Sequence, residues 1–249
     1  MRTYGFLASG ILALSLLSSA ALAAPTYTWN TVGNSPTDGM DGNQRTFSAV
    51  EDAGMILKVR GYSTWNNDGT GNFRDAFVGA YSGGLGITNP SSSNEDDSPN
   101  HGVDNNGKDD FLLFEFASSD FKATGFKIGW REYNNTDIQV WVGGTNAGAG
   151  LDLSSDCGGA CDKNDLDDLG FTLLPTFFDV DPGESPSINT SIAGRYLLIT
   201  GRAGYADDYF KLNVISALQE VTVPEPSSLA LLAGSLLGLG GLARRKRRA

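Results

Sequence analysis

The sequence FKIGWR, at residues 126–131, alternates between apolar side chains and polar or small ones. Phe126, Ile128 and Trp130 fall on one face of an extended chain, and the residues between them fall on the other. A side-chain period of two is typical of a half-buried β-strand. This segment is therefore predicted to be a strand whose Phe126, Ile128 and Trp130 side chains point into the core.

A shorter segment that follows this strand repeats the pattern. Ile138, Val140 and Val142 share one face, with Gln139 and Trp141 on the other. The remaining predicted strands are Thr26–Asn30, Thr46–Val50, Met55–Tyr62, Phe73–Tyr81, Phe111–Phe116, Phe171–Leu174, Thr176–Val180, Arg195–Thr200 and Tyr209–Ser216.

Turn-forming clusters such as Asn66-Asn67-Asp68-Gly69 separate these strands, and no long window between the two ends of the chain shows a helical stripe. About ten short strands with such punctuation predict an all-β fold, a single antiparallel β-sandwich or jelly roll. No linker rich in proline or serine divides residues 24–222, so one domain is expected there.

The N-terminal segment Met1–Ala23 has the order of features found in a signal peptide. Arg2 precedes an apolar core, and Ala21-Leu22-Ala23 is the small-x-small pattern after which signal peptidase cuts. The mature chain is therefore expected to begin at Ala24, and the protein is expected to be exported.

The C-terminal segment, residues 223–249, has three parts in a fixed order. A Pro-Glu-Pro motif comes first, and its prolines cannot continue a strand or lie inside a helix. Ser227–Ala243 follows without a charged side chain and predicts a helix about 25 Å long, close to the roughly 30 Å of a bilayer core. The motif is formed by Val223, Pro224, Glu225 and Pro226.

A basic cluster ends the chain and acts as a stop-transfer signal. By the positive-inside rule it stays on the cytoplasmic side, so the helix is expected to hold the chain in the inner membrane. The members of the cluster are Arg244, Arg245, Lys246, Arg247 and Arg248.

This combination of a Pro-Glu-Pro motif, a short apolar helix and terminal arginines resembles the PEP-CTERM sorting signal of exosortase substrates. The resemblance implies that exosortase, a membrane-embedded, cysteine-dependent, transpeptidase-like enzyme, processes the tail near the motif. It also implies a membrane-anchored intermediate that then passes to the cell surface or to an extracellular matrix of exopolysaccharide. An ordinary permanent anchor is the alternative.

The charge of the central domain restricts its partners. Residues 24–222 contain 12 of the 18 Lys and Arg residues and 28 of the 29 Asp and Glu residues, a net charge of −16. A surface this acidic repels nucleic acid and anionic membranes. Cations are the expected counterpart.

One loop concentrates the oxygen atoms that calcium prefers as ligands. Asp104, Asn105, Asp109 and Asp110 precede the predicted strand Phe111–Phe116. Calcium takes about six to eight oxygens from carboxylates, amides and backbone carbonyls, so these four residues are predicted calcium ligands. In the alternative interpretation they cap their own backbone in an Asx-rich turn before a buried strand. A second acidic segment, at residues 162–168, could also hold calcium, with a solvated acidic loop as the alternative, and Asp207 and Asp208 are a third possible site.

Four segments of the domain resemble a family of exosortase-dependent surface proteins. The family has no established activity and supplies no catalytic residues, so the resemblance implies a surface role without naming a ligand. The segments are Gly83–Thr88, Ser98–Asp110, Arg195–Leu198 and Asp207–Leu212.

Cys157 and Cys161 flank a short glycine-containing loop. A signal peptide places them in an oxidising compartment, so a local disulfide is predicted. A zinc site is the alternative, but His101 is the one further soft ligand in the domain, and structural zinc prefers four Cys or His ligands.

Exposed tryptophans are candidates for stacking on sugar rings. Trp130 is expected in the core, because it is in phase with Phe126 and Ile128. Trp65 lies beside a turn and Trp141 lies opposite the apolar face of its strand, so these two are the predicted sugar platform.

Together these features predict an exported, non-enzymatic surface or matrix protein, stabilised by calcium and able to bind exopolysaccharide. A polysaccharide-active hydrolase or lyase is the alternative, because Asp is abundant in the loops. His101 could serve as a general base, but no motif completes a catalytic set around it. A histidine that hydrogen-bonds its own loop is the simpler interpretation.

Overall fold

Twelve β-strands make up the fold in the computed structural model, which describes residues 23–34, 42–64, 71–89, 101–157 and 161–221. No helix lies within those segments, and so none there is long and apolar enough to cross a membrane. The strands are β1 Thr26–Asn30, β2 Gln44–Ser48, β3 Ile56–Thr64, β4 Phe73–Tyr81, β5 Gly84–Thr88, β6 Val103–Asp104, β7 Asp110–Glu115, β8 Phe121–Arg131, β9 Ile138–Gly143, β10 Phe171–Leu173, β11 Tyr196–Gly201 and β12 Tyr209–Gln219.

The alternating sequence pattern therefore predicted an all-β, antiparallel fold correctly. The described residues are all-β, and every strand pair among them is antiparallel. The predicted bounds of β1 and β4 match the observed ones. The predicted strand Thr176–Val180 is wrong, because this segment makes only an isolated bridge in which Phe177 exchanges two backbone hydrogen bonds with Ile138.

The strands form one hydrogen-bonded sheet in the order β1-β12-β5-β4-β3-β7-β11-β9-β10. β2 pairs with β3 outside this path, and β6 and β8 pair with β12. β4 joins the two parts of the sheet because it changes partner along its length. Its residues 73–76 pair with β3, and its residues 77–81 pair with β5.

β5 and β6 were missing from the sequence-based prediction. The Gly-Leu-Gly start of β5 is typical of a turn, and β6 has only two residues. Gly86 shows why glycine lies in this strand, since a Cβ atom there would be 1.6 Å from the carbonyl oxygen of His101. Close approach of two backbones, rather than turn formation, explains the composition of β5.

β8 is the strand that contains the alternating segment, and a β-bulge interrupts its register. Ile128 pairs with Leu212, whereas Trp130 pairs with the adjacent residue Lys211. Neighbouring residues of a strand face opposite sides, so the bulge moves Trp130 away from the face of Ile128. Trp130 is only partly buried, with the Lys211 ammonium 5.1 Å from its ring centroid. The expectation that Trp130 is a core residue is wrong.

Two clusters of buried side chains pack on the sheet. The larger takes side chains from β1, β8 and β12 and also from β3, β7, β9 and β11. The smaller covers the other face of β7, β9 and β11 with loop side chains such as Leu153 and Leu166. Both faces of β7 and β11 are therefore buried, and all of their residues are buried.

Trp141 belongs to the smaller cluster. Its side chain is 6% exposed, and its ring centroid lies 6.2 Å from that of Phe111. The prediction that Trp141 is a sugar platform is wrong. The smaller cluster covers the face of β9 opposite Ile138, Val140 and Val142, which the sequence pattern had predicted to be exposed. Trp65, the other predicted platform residue, lies outside the described residues.

Candidate ligand-binding site

Four polar residues converge where strands begin or end. The pairing of β11 with β9 places Gly201 opposite Ile138, and the pairing of β12 with β6 places Tyr209 opposite Asp104. The residues just beyond these strand ends therefore come together, although they are far apart in the chain. They are Asn105, Asp137, Arg202 and Asp208, called the strand-end network below.

The carboxylate of Asp208 is the centre of the strand-end network. Its oxygens accept hydrogen bonds from the Asp137 backbone N–H at 2.6 Å, the Asn105 amide at 2.6 Å and the Arg202 backbone N–H at 3.0 Å. Burial raises the pKa of Asp208 to about 6, and the N–H donors of Asp137 and Arg202 oppose this shift. The same donors favour the ionised form and tie Asp208 to two other strand ends.

Asn105 completes the ties to Asp208 and is fully buried. Its amide nitrogen also donates to the Arg202 backbone carbonyl at 2.8 Å, and its amide oxygen accepts from the Asp208 backbone N–H at 3.0 Å. Both amide hydrogens and the amide oxygen thus have partners within the protein. Asn105 therefore joins the end of β6 to the ends of β11 and β12.

Asp137 extends the strand-end network toward the surface. One of its carboxylate oxygens accepts from the Arg202 guanidinium at 3.3 Å, and the other accepts from the Asp179 backbone N–H at 3.1 Å. Asp179 has a φ of 52°, a left-handed conformation that is uncommon for a residue other than glycine. Asp137 thereby holds both the arginine side chain and the backbone that follows Phe178.

Two exposed aromatic rings lie within cation–π distance of the Arg202 guanidinium. Its Cζ atom lies 3.9 Å from the Tyr205 ring centroid and 5.4 Å from the Phe178 ring centroid. Phe178 is 61% exposed and Tyr205 is 49% exposed. We call these three side chains the Phe178–Tyr205 surface.

A shallow cavity of about 460 Å³ adjoins this surface, because Phe178 also contributes to its wall. The volume is within the range of sites for small ligands. The lining combines apolar side chains with a carboxylate and a hydroxyl, and it consists of Phe177, Phe178, Val180, Glu184, Ser185 and Pro186.

The predicted calcium ligands do not share one role in the structure. Asp104 accepts a hydrogen bond from the Asn106 backbone N–H at 2.9 Å, as in an Asx turn, and the Asn105 amide serves the strand-end network. Asp109 and Asp110 are buried beside Thr64 and Thr200, whose hydroxyls bond to their backbone groups. Within the described segments, no group of three or more His, Cys, Asp or Glu side chains could hold a metal ion. The calcium site stays a prediction.

The acidic segment 162–168 forms a turn that its own side chains cap. Asp162 accepts from the Asn164 backbone N–H at 2.6 Å, and Asp165 accepts from the Asp162 backbone N–H at 2.8 Å. These carboxylates satisfy local backbone donors.

Cys157 and Cys161 are joined by a disulfide, with their Cα atoms 5.2 Å apart. Cys161 is fully buried in the smaller cluster, and its carbonyl accepts a hydrogen bond from the Phe73 backbone N–H at 2.6 Å. The disulfide lies where the loop that carries Leu153 and Leu166 contacts β4.

His101 lies outside the candidate site. Its ring is buried, lies 2.7 Å from the Thr88 hydroxyl through Nδ1, and stacks on Tyr81 with ring centroids 5.2 Å apart. The ring supports the packing of its own loop against β4 and β5.

The sequence reasoning missed Asp137, Arg202, Phe178 and Tyr205. Only Phe178 carried a usable signal: it follows Phe177 in an extended segment, so one of the two rings had to face away from the core. Phe177 packs on the larger cluster, and Phe178 is the exposed member. Asp137 lies 65 residues before Arg202 and meets it only through strand pairing, whereas Tyr205 follows Arg202 in the same turn.

Comparison with known protein families concerns the C-terminal segment. Residues 222–248 match the PEP-CTERM protein-sorting motif. The recognition of this motif from the sequence is confirmed. The PEP-CTERM motif is the sorting signal of exosortase substrates, so it supports an exported protein and implies processing by exosortase. No curated protein and no solved structure matches the chain.

The PEP-CTERM segment contains all of the sorting-motif and basic-cluster residues named above. Residues 222–249 lie outside the described residues, as do residues 1–22 of the predicted signal peptide Met1–Ala23. The predicted transmembrane helix therefore stays a prediction. The signal implies a membrane-anchored intermediate on the route to the cell surface.

Proposed function

We propose that this chain is a non-enzymatic protein of the cell surface or extracellular matrix that binds exopolysaccharide. The observation that carries the proposal is the PEP-CTERM motif at residues 222–248, which directs the domain to the place where such polymers lie. Its net charge of −16 makes the domain a poor partner for nucleic acid and anionic lipid.

The domain is a β-sandwich scaffold in this proposal. The larger buried cluster supports that arrangement, because it draws on both parts of the sheet that β4 connects. A scaffold of this kind presents loops at the ends of its strands. The Phe178–Tyr205 surface and its cavity lie at such an end.

The burial and hydrogen bonding of the strand-end carboxylates favour sugar binding over sugar hydrolysis by this network. Asp137 and Asp208, the two carboxylates of the strand-end network, are buried and accept backbone N–H bonds. A hydrolase or lyase, which is the alternative function, would need carboxylates that reach a substrate. Incubation with exopolysaccharide would then release reducing ends or unsaturated sugars.

Two variants test the sorting part of the proposal in the producing cell. Deletion of residues 223–249 should release a soluble protein, because the charge-free helix and the basic cluster are removed. Replacement of Pro224, Glu225 and Pro226 by alanine keeps both and should leave an unprocessed, membrane-bound chain. Immunoblots of membrane, surface and medium fractions measure the outcome. An alanine variant that distributes like the wild type would instead indicate a permanent anchor.

Binding is tested by fractionation of the extracellular matrix. The mature protein should sediment with purified exopolysaccharide from the same cells and remain in solution without it. A mature protein that never sediments with the polymer would contradict the proposed function.

A further inference from the structure

We infer that the Phe178–Tyr205 surface, with its adjoining cavity, is the sugar-binding site of the domain and takes a neutral pyranose chain. The inference rests on the proposed function, to which it adds a location and a class of sugar. It assigns binding to residues that the sequence pattern did not single out.

The two rings are held in fixed positions rather than loosely exposed. The Arg202 guanidinium contacts both, at 3.9 Å from the Tyr205 ring centroid and 5.4 Å from the Phe178 ring centroid. Asp137 fixes that guanidinium, and Asp137 is itself bound to Asp208 through its backbone N–H. The strand-end network therefore pre-organises the rings, and a rigid binding surface loses little conformational entropy when a ligand binds.

Phe178 is held outward by backbone strain at the next residue. The next residue, Asp179, has a φ of 52°, and its N–H is fixed by the Asp137 carboxylate. A non-glycine residue in this region persists only when its surroundings hold it there, and such strain clusters at binding and catalytic sites. The outward position of Phe178 is therefore built into the fold.

The chemistry around the rings suits a sugar. Pyranose rings have an apolar face of C–H groups that packs on a flat aromatic side chain, and hydroxyl groups at their edges that donate and accept hydrogen bonds. Phe178 and Tyr205 supply the flat faces. Glu184 and Ser185 in the cavity supply a carboxylate acceptor and a hydroxyl.

The charge of the site selects among polysaccharides. Glu184 lines the cavity, and the guanidinium of Arg202 already pairs with Asp137. The domain as a whole has a net charge of −16. These carboxylates would repel a polyuronate, whereas they would not repel an uncharged chain.

Affinity electrophoresis of the mature protein tests the inference. The gels contain soluble β-glucan, galactomannan, dextran or the cell's own exopolysaccharide, with alginate as the polyuronate. The wild type should be retarded by at least one neutral polymer and not by alginate. Phe178→Ala and Tyr205→Ala should each weaken that retardation about tenfold, the loss expected for one stacked ring.

Two sets of variants serve as controls. Leu173→Ala removes a side chain that is 48% exposed, but Leu173 neither lines the cavity nor contacts Arg202, so this variant should bind like the wild type. Phe178→Leu and Tyr205→Leu keep apolar bulk without a flat ring, and they should weaken retardation about as much as the alanine variants while the melting temperature is unchanged.

The outcomes separate the inference from the function on which it rests. If the wild type binds and the Phe178 and Tyr205 variants bind equally well, the site is elsewhere and the proposed function stands. If the wild type binds alginate alone, the assignment of a neutral chain is overturned. If it binds none of the polymers, both the inference and the proposed function fail.

Discussion

Asn105 holds the ends of β6, β11 and β12 together through one side-chain amide. It is fully buried and makes hydrogen bonds to Asp208 and Arg202 with its oxygen and its nitrogen. A buried donor or acceptor that loses its partner costs about 1–3 kcal/mol, more when the group is charged. A substitution of Asn105 can therefore distinguish a structural role of the acidic loop from calcium binding.

Asn105→Asp is predicted to lower the free energy of unfolding by about 2–4 kcal/mol at pH 7. The new carboxylate cannot donate to the Arg202 carbonyl and repels Asp208, whose oxygen accepts from the wild-type amide at 2.6 Å. A calcium ligand would behave differently, because a carboxylate replaces an amide oxygen readily. Chemical denaturation of the mature protein in chelator and in calcium gives the measurement.

Asn106→Asp is the matched control for this variant. It adds the same charge in the same loop, at an exposed position. Surface substitutions of this kind change stability by less than about 0.5 kcal/mol. A similar loss in both variants would argue against the buried role of Asn105.

The stability of the domain is predicted to depend on pH through Asp208. Burial raises its pKa from 3.8 to about 6, so the folded chain holds this proton more tightly than the unfolded chain. Its contribution to stability is therefore fully present below pH 3.8 and is lost as the pH rises through about 6. The chemical shift of the Asp208 carboxyl carbon should titrate with a midpoint near pH 6. A midpoint at or below the ordinary value would contradict the prediction.

At the scale of the strand, β5 depends on the absence of a side chain. The backbone of the His101 loop lies so close to Gly86 that a Cβ atom would overlap the His101 carbonyl oxygen. Both backbones are buried, and close-packed interiors yield little to an added methyl group. The strand and the loop must therefore separate if the glycine is replaced.

Gly86→Ala is predicted to cost about 3 kcal/mol or more, the upper range for overpacking a core. Thermal melting of the mature protein measures the loss. Gly148→Ala is the control, because a Cβ atom at Gly148 meets nothing within 4 Å. Equal melting temperatures for the two variants would show that the approach of His101 to β5 is not tight in solution.

At the scale of the whole molecule, the excess of carboxylates is the main electrostatic feature. A net charge of −16 on one domain opposes the compact state through self-repulsion, and a bound cation would relieve it. Calcium bound near Asp104, Asp109 or Asp110 remains the prediction that follows from this excess.

The mature protein is predicted to melt several degrees higher in calcium than in chelator at equal ionic strength. A ligand at a hundredfold excess over its Kd stabilises the folded state by about 2.7 kcal/mol. Asp104→Asn should reduce the shift, and magnesium should reproduce little of it, since it demands stricter octahedral geometry. Identical melting curves in calcium and in chelator would rule out the calcium site.

The sequence by itself determined the fold class, most strand positions and the sorting signal. Alternating segments such as β8 are encoded locally, because a strand's two faces differ in hydrophobicity. The PEP-CTERM motif is also local, since Pro-Glu-Pro, the apolar stretch and the basic residues follow one another in the chain. Neither required knowledge of a partner strand.

Only the tertiary structure decided which residues surround the candidate site and which tryptophans are exposed. Strand pairing brings Asn105 within hydrogen-bonding distance of Asp208, 103 residues later, and no local pattern encodes such a contact. A bulge turned Trp130 away from the core face, and a second cluster buried Trp141. Local periodicity reports which side chains share a face, but what covers that face depends on distant segments of the chain.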